Sequence, residues 1–302
     1  MSYINRLKNS KDLVTPGTSA CQGCGGELIL RRVIQLAGEN TIVCIPPGCM
    51  AGAGAVGWSF DSGLKVPVHI TLLTNTASFL SGLSQMYKRK GRDDVNLVAV
   101  AGDGATADCG FQSLSGAAER GEKMLYVCYD NEGYMNTGFQ RSSTTSKGSR
   151  TSTTPLGSVI SGKEQNPKYL PLIMAMHNVE YCATASPSHM NDMVKKIEKG
   201  LEASKRGFAY LHVFSPCPTG WAYPENQAIQ IARKAVQSNA FPLWEMQEGK
   251  FTLNLENKNP LPISDFVKGI GKYKDLTSED IEEFQNLVNS RYQFIKGLSE
   301  IS

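Results

Sequence analysis

Between Thr41 and Phe214 the chain alternates short apolar runs with stretches of helical periodicity, and this rhythm constrains its fold more than any other feature. The runs TIVCI (41–45), PVHITLL (67–73), NLVAVA (96–101), KMLYVCY (123–129), VEYCATA (179–185) and FAYLHVF (208–214) read as strands. Helical patterns fall over about 26–37, 75–89, 110–120, 167–177 and 189–204. Strands that are apolar throughout are buried on both faces, and a helix between strands returns each in the same direction. The expected class is α/β: a mostly parallel sheet with helices on both faces. A hydrophobic fraction of 41% is ample for its core.

Two segments break the rhythm. Residues 136–162 are polar, rich in Ser and Thr, and aperiodic. A connection that long inside an α/β unit is either functional or a solvated loop. After Gly220 the strand–helix alternation stops. We expect one catalytic unit over residues 1–220 and a C-terminal extension over 221–302, packed on that unit or on a partner. Lys and Arg exceed Asp and Glu by only three, and no basic stripe is present, so nucleic acid is not an expected partner. No apolar stretch reaches the roughly 18 residues of a membrane span. The first residues, MSYINRLKNSKDLVTPG, lack the apolar core of a signal peptide, and a cytoplasmic location is expected. In that compartment the eight cysteines read as thiols, metal ligands or cluster ligands, not disulfides.

The run NLVAVA delivers Gly102, Asp103 and Gly104 to its carboxyl end, the edge where open α/β sheets bind ligands. Glycines there let the backbone approach a phosphate closely. A carboxylate beside phosphates is repulsive unless a cation lies between them, and Mg²⁺ is commonly shared in this way. KMLYVCY is followed by Asp130, Asn131, Glu132 and Gly133, so Asn131 lies 28 positions beyond Asp103. One helix and one strand fill that interval, and the crossover brings both residues to the same edge. Either turn alone is a weak signal. Together they resemble the thiamine diphosphate enzymes, and the resemblance implies Mg²⁺ held by the side chains of Asp103 and Asn131 and the carbonyl of Gly133.

Four cysteines lie among Gly and Pro in loops: Cys21 and Cys24 in CQGC, Cys49 in PPGCM, and Cys217 in SPCPTG. The other four, Cys44, Cys109, Cys128 and Cys182, fall in or beside apolar patterns and read as small buried hydrophobes. For the loop four, structural zinc and an iron–sulfur cluster stand level on composition alone. The whole series CxxCG, GCM, GDG, YDNEGYMNTG, QRSS and PCPTGW resembles the β subunit of multi-subunit pyruvate:ferredoxin oxidoreductases, within the 2-oxoacid:ferredoxin oxidoreductase family. It covers about Thr18 to Trp221.

That resemblance implies a thiamine diphosphate-binding fold and one four-iron, four-sulfur cluster on Cys21, Cys24, Cys49 and Cys217. Its thiamine-contacting stretches fall on Cys49, on Gly102, Asp103, Gly104 and Ala105, and on Asn131, Glu132, Gly133, Tyr134, Met135 and Asn136. Asn136 matches a residue beside the reactive carbon of the cofactor. The implied reaction is oxidative decarboxylation of a 2-oxoacid, with electrons passed to the cluster and on to ferredoxin, and coenzyme A taking the acyl group. The implied partners are an α subunit, which supplies the pyrimidine-side glutamate and much of the substrate pocket, and a ferredoxin-like subunit with further clusters. The chain by itself is expected to be inactive. Arg141 and the run 142–154 are open between covering the cofactor, contacting coenzyme A, and a solvated loop. None of the four histidines has a catalytic role in this reading. Pyruvate leads as substrate, while the small residues AGAGAVGW (51–58) leave room for oxalate, a branched-chain or an aryl 2-oxoacid. The rival readings are a non-oxidative thiamine decarboxylase, which leaves the loop cysteines idle, and a zinc-stabilised assembly subunit, which leaves Asp103 and Asn131 idle.

Overall fold

All six expected strands form and lie parallel in one sheet: β1 (Thr41–Ile45), β2 (Val68–Ile70), β3 (Asn96–Gly102), β4 (Met124–Asp130), β5 (Tyr181–Ala185) and β6 (Phe208–Phe214). Two further strands, β7 (Trp244–Gln247) and β8 (Lys250–Leu253), join antiparallel. The sheet order is β2-β1-β3-β4-β6-β5-β7-β8. The computed structural model describes residues 2–8, 10–52, 63–157 and 162–301. The small-residue stretch expected to shape the substrate cavity therefore lies, beyond Gly52, outside the described residues.

The helices are α1 (Tyr3–Leu7), α2 (Gly25–Ala37), α3 (Thr76–Arg89), α4 (Phe111–Glu119), α5 (Leu170–Ala175), α6 (Met190–Ala203), α7 (Pro218–Trp221), α8 (Ala228–Gln237), α9 (Ile263–Val267) and α10 (Ser278–Ile301). They cover both faces. Ile29 and Val33 of α2 and Ile197 of α6 pack with Val43, Val98 and Leu211 on one side. Leu80 of α3, Leu114 of α4, Met174 of α5 and Ile295 of α10 pack with Ala99, Tyr126 and Tyr210 on the other. β4 and β6, at the centre, are buried along their whole length.

One strand is shorter than its apolar run implies. After Ile70 the chain leaves the sheet edge and turns, and the Leu72 N–H donates to Asn75 Oδ1 at 2.9 Å. The C-terminal segment also does more than cap the unit. Its β7 pairs with β5, and a third apolar cluster gathers Trp221, Phe241, Phe266 and Tyr273 beyond the end of β6. Among the described residues no helix is long and apolar enough to cross a membrane.

Parallel strands point their carboxyl ends to one rim. There β1 leads to Cys49, β3 to Asp103, β4 to Asn131 and β6 to Cys217. The chain leaves β1 for β2 on one side and returns to β3 on the other, so strand order reverses between β1 and β3, where doubly wound sheets open a crevice.

Candidate functional site

Directly after β3, Asp103 begins a tight π-helical turn (Gly104–Cys109) and is fully buried. Ser142 Oγ and Thr144 Oγ1 (3.0 Å) donate to its Oδ2, and the Asn131 N–H lies 3.4 Å from Oδ1. With its nitrogen turned inward, the Asn131 amide donates to Asp103 Oδ1 (3.0 Å) and to the Gly133 carbonyl (2.8 Å). A buried carboxylate, a backbone carbonyl and an amide that can present its oxygen instead are thereby gathered at one point, a hard, oxygen-rich donor set of the kind Mg²⁺ takes. Burial pushes the Asp103 carboxyl well above the carboxylate range, and the charge of Asp130 pushes it further.

The surrounding polar network holds this turn. Thr144 Oγ1 also reaches Asp130 Oδ1 (2.9 Å), and His212 stands between Asp130 Oδ2 (2.8 Å) and the Tyr210 hydroxyl (2.8 Å). Burial works against the Asp130 charge, but the His212 hydrogen bond and charge outweigh it and hold that carboxyl low. Thr145 Oγ1 donates to the Glu132 carbonyl at 2.8 Å, and Ser146 donates through N–H and Oγ to Glu132 Oε2. The run 142–149 is therefore a buried polar scaffold, not a solvated loop: Ser142, Thr144, Thr145, Ser146 and Ser149 are all buried, and Arg141 alone of 141–146 is exposed.

A cavity of about 560 Å³ opens over the turn, lined by Cys49, Gly102, Gly104, Ala105, Asn131, Gly133, Tyr134, Met135 and Asn136. Of the residues expected to contact the cofactor, only Asp103 and Glu132 are missing from its wall. Asp103 is fully buried between Gly102 and Gly104, which do line it. Glu132, at φ 59°, turns its side chain away from the cavity and pairs with Lys272 Nζ at 2.6 Å.

The four loop cysteines border one space. Cys21, Cys24, Cys49 and Cys217 line a second cavity of about 770 Å³, which shares Cys49, Tyr129, Asn131 and Asn136 with the first. CQGC reaches it by close backbone approach: Gly23 has φ 72°, and a Cβ on it would stand 2.4 Å from the Glu225 carbonyl oxygen. Cys217 Sγ accepts the Gly220 N–H at 3.3 Å. Burial, and then the neighbouring thiols, push Cys24 up to about 11 and Cys49 up to about 12. Among the described residues no three His, Cys, Asp or Glu side chains converge on a position for one ion.

Of the other cysteines, Cys44, Cys128 and Cys182 are buried as expected. Cys109 is exposed instead, because it ends the π-helical turn facing outward, its Sγ 3.3 Å from the Tyr134 hydroxyl. Sequence reasoning also missed the scaffold. His212 looked like an ordinary strand residue, and nothing local marked Lys272.

Residues 63–213 match the thiamine pyrophosphate enzyme C-terminal binding domain. That span holds Asp103, Asn131 and Gly133 but none of the four loop cysteines. Over 302 residues the chain is 49% identical to the NADH-dependent phenylglyoxylate dehydrogenase β subunit of Aromatoleum evansii, covering 99% of this chain and 67% of that protein. It is 41% identical to the ketoisovalerate oxidoreductase subunit VorB of Pyrococcus horikoshii, over 94% of this chain and 93% of that one. It is 37% identical to the pyruvate synthase subunit PorB of Methanothermobacter thermautotrophicus, over 95% and 98%. The chain belongs to the β subunits of the 2-oxoacid:ferredoxin oxidoreductases. As a β subunit of this family it shares its fold with a solved 2-oxoglutarate:ferredoxin oxidoreductase of Magnetococcus marinus, at TM-score 0.56 and 24% identity, covering 75% of this chain and 81% of that one.

Proposed function

We propose that this β subunit carries thiamine diphosphate, with its Mg²⁺ on Asp103, Asn131 and Gly133, beside a four-iron, four-sulfur cluster on Cys21, Cys24, Cys49 and Cys217. One observation carries the reading: the thiol-lined cavity and the cavity over the acidic turn share a wall of Cys49, Tyr129, Asn131 and Asn136. Four thiols spaced around a cavity suit a cluster better than one zinc ion, which draws its sulfurs to about 2.3 Å from a single point. When bound, the thiazolium supplies the electron sink for loss of CO₂ from a 2-oxoacid, and the cluster takes the electrons onward.

The chain's own residues fix and shield these groups. Ser142 and Thr144 orient Asp103 by hydrogen bonds. Gly102 and Gly104 let the rings of Tyr129 and Tyr134 close on this turn, since a Cβ would stand 3.3 Å from the first and 2.5 Å from the second. Asn136, on the shared wall, would stand beside the reactive carbon of the bound cofactor. A glutamate for the aminopyrimidine, and the rest of the substrate pocket, come from an α subunit; a ferredoxin-like subunit takes the electrons, and coenzyme A takes the acyl group. Higher identity to the phenylglyoxylate enzyme (49%) than to the ketoisovalerate (41%) and pyruvate (37%) enzymes moves the preferred substrate from pyruvate to an aryl 2-oxoacid.

The test is anaerobic purification of the chain alone and with its co-expressed partner subunits, followed by viologen reduction with phenylglyoxylate, 2-ketoisovalerate and pyruvate. The expected result is brown protein in both preparations, four irons per chain for the chain alone by the cluster stoichiometry, and activity only in the complex. Colourless, zinc-containing protein overturns the cluster. Activity of the isolated chain overturns the division of labour, and a preference for pyruvate overturns the aryl assignment.

A further inference from the structure

A buried lysine from the C-terminal segment touches both halves of the site without lining either cavity. Lys272 lies in a short turn (Gly271–Tyr273) and is 2% exposed. Its ammonium pairs with Glu132 Oε2 at 2.6 Å and sits 3.2 Å from the centre of the Trp221 ring. Glu132 is the middle residue of the Asn131–Gly133 turn. Trp221 in turn ties that turn to the cysteine loop: its indole N–H donates to the Asn131 carbonyl at 2.8 Å, and its backbone N–H donates to the Cys217 carbonyl at 2.9 Å. The approach is close, since a Cβ on Gly271 would lie 2.6 Å from Ala222 Cβ.

A fully buried ammonium costs desolvation energy unless it is paired and hydrogen-bonded. Here one carboxylate and two aromatic faces, Trp221 and Tyr273 (4.5 Å), provide that compensation, and Glu132 and Trp221 belong to the segments proposed to hold the two cofactors. The charge also lies toward the thiol side: the Trp221 ring it rests on ends the short helix that Cys217 caps. We propose that Lys272 is a positioning residue that locks the metal-binding turn against the Cys217 loop and lends the cluster side a buried positive charge. The inference rests on the proposed pair of cofactors.

Two variants of the full chain test it, each compared with wild type prepared anaerobically. Lys272→Met keeps the volume and removes the charge; Glu132→Gln keeps the shape and leaves the ammonium without its counter-charge. The readouts are iron content, the dissociation constant for thiamine diphosphate with Mg²⁺, and the midpoint potential of the cluster. Partners around a metal ligand set typically carry a 10- to 100-fold effect, so both variants are expected to weaken cofactor binding by about tenfold or more. The potentials should move in opposite directions. Lys272→Met lowers the midpoint, because a nearby cation favours the more negative reduced cluster, and Glu132→Gln raises it. The double variant, with neither charge, should return the potential toward wild type while binding stays weak. Binding within twofold of wild type, or potentials that move together, overturns the proposal. Should Lys272→Met fail to accumulate, the upward shift in Glu132→Gln alone decides. Wild-type chain that holds neither iron nor thiamine diphosphate refutes the proposed function instead.

Discussion

The two adjoining cavities are built in opposite ways. The one over Asp103 rests on neighbouring strands, β3 and β4, whose register places Gly102 beside Tyr129. Its polar groups are satisfied before any ligand arrives: Ser142, Thr144, His212 and Thr145 already occupy the oxygens of the acidic turns. The thiol cavity draws on loops before α2, after β1 and after β6, and its sulfurs meet backbone N–H groups of those loops, Gly26 and Glu27 at Cys24 and Gly220 (3.3 Å) and Thr219 at Cys217. A preorganised site pays its ordering cost during folding, whereas one assembled from separate loops leaves that cost to its occupant. The first should bind its cofactor to a folded apo chain. The second should be ordered by the cluster itself.

The sharpest way to break this contrast is Asp103→Asn. Loss of a buried anionic ligand should weaken thiamine diphosphate binding by roughly 100-fold or more, beyond what supporting residues carry. The same change should leave the melting temperature of the metal-free chain unchanged or higher, because it removes a desolvated charge beside Asp130. Titration of the cofactor and a thermal melt without Mg²⁺ check the two halves. A melt that falls by many degrees would show that Asp103 supports the fold and not only the ligand.

The thiol side makes a pH prediction. Burial first and neighbouring thiols next raise Cys24 from 9.0 to about 11, so its neutral form persists through pH 8 and its thiolate is about 100-fold scarcer than that of an ordinary thiol. Alkylation of the metal-free chain with iodoacetamide, followed by mass spectrometry, should label exposed Cys21 and Cys109 first and Cys24 and Cys49 last. Labelling of Cys24 should accelerate as pH rises toward 10, since deprotonation is what limits it. Equal rates for all four loop cysteines at pH 8 would mean that the cavity is open in solution.

How much of this was legible follows from range along the chain. The parallel sheet was readable because each strand is a contiguous apolar run, and the acidic turns because each directly follows a strand. The grouping of Cys21, Cys24, Cys49 and Cys217 needed the resemblance, since no spacing rule brings residues so far apart in sequence to one cavity. The buried roles of Ser142, Thr144 and His212 were hidden for a different reason. A serine-rich run reads as solvated until the partners that satisfy its hydroxyls are known, and those partners are 39 and 41 positions away for Ser142 and Thr144 on Asp103. Lys272 is the extreme case, a lone lysine whose carboxylate lies 140 positions earlier. The outward-facing Cys109 was misread because a π-helical turn shifts the facing of residues that an α-helical pattern would bury.

Cys49 and Cys21 separate the two cavities more finely. Cys49 lines both, while Cys21 lines only the thiol side. Cys→Ser at either position should cost most of the iron. Only Cys49→Ser should also weaken thiamine diphosphate binding in the isolated chain, by about tenfold on the scale of a lost supporting contact. Cys21→Ser should stay within about twofold, because no part of it reaches the cofactor wall. Matched losses of both cofactors in both variants would make the cavities one cooperative site.

The smallest effect is expected at Tyr134. Its hydroxyl donates to the Gly104 carbonyl at 3.1 Å or to Asp108 Oδ2 at 3.2 Å, and its ring packs where a side chain on Gly104 would otherwise stand. Tyr134→Phe keeps the ring and removes one neutral hydrogen bond from a half-buried position, a loss of about 1 kcal/mol. That corresponds to roughly fivefold in the dissociation constant of thiamine diphosphate, with iron content untouched. If the first cavity is preorganised as described, the ring alone keeps the turn in place and the loss stays near that value. A loss as large as that of Asp103→Asn would instead mean that the π-helical turn depends on this hydroxyl for its shape, and that the acidic turn is assembled by its ligand as the thiol cavity is.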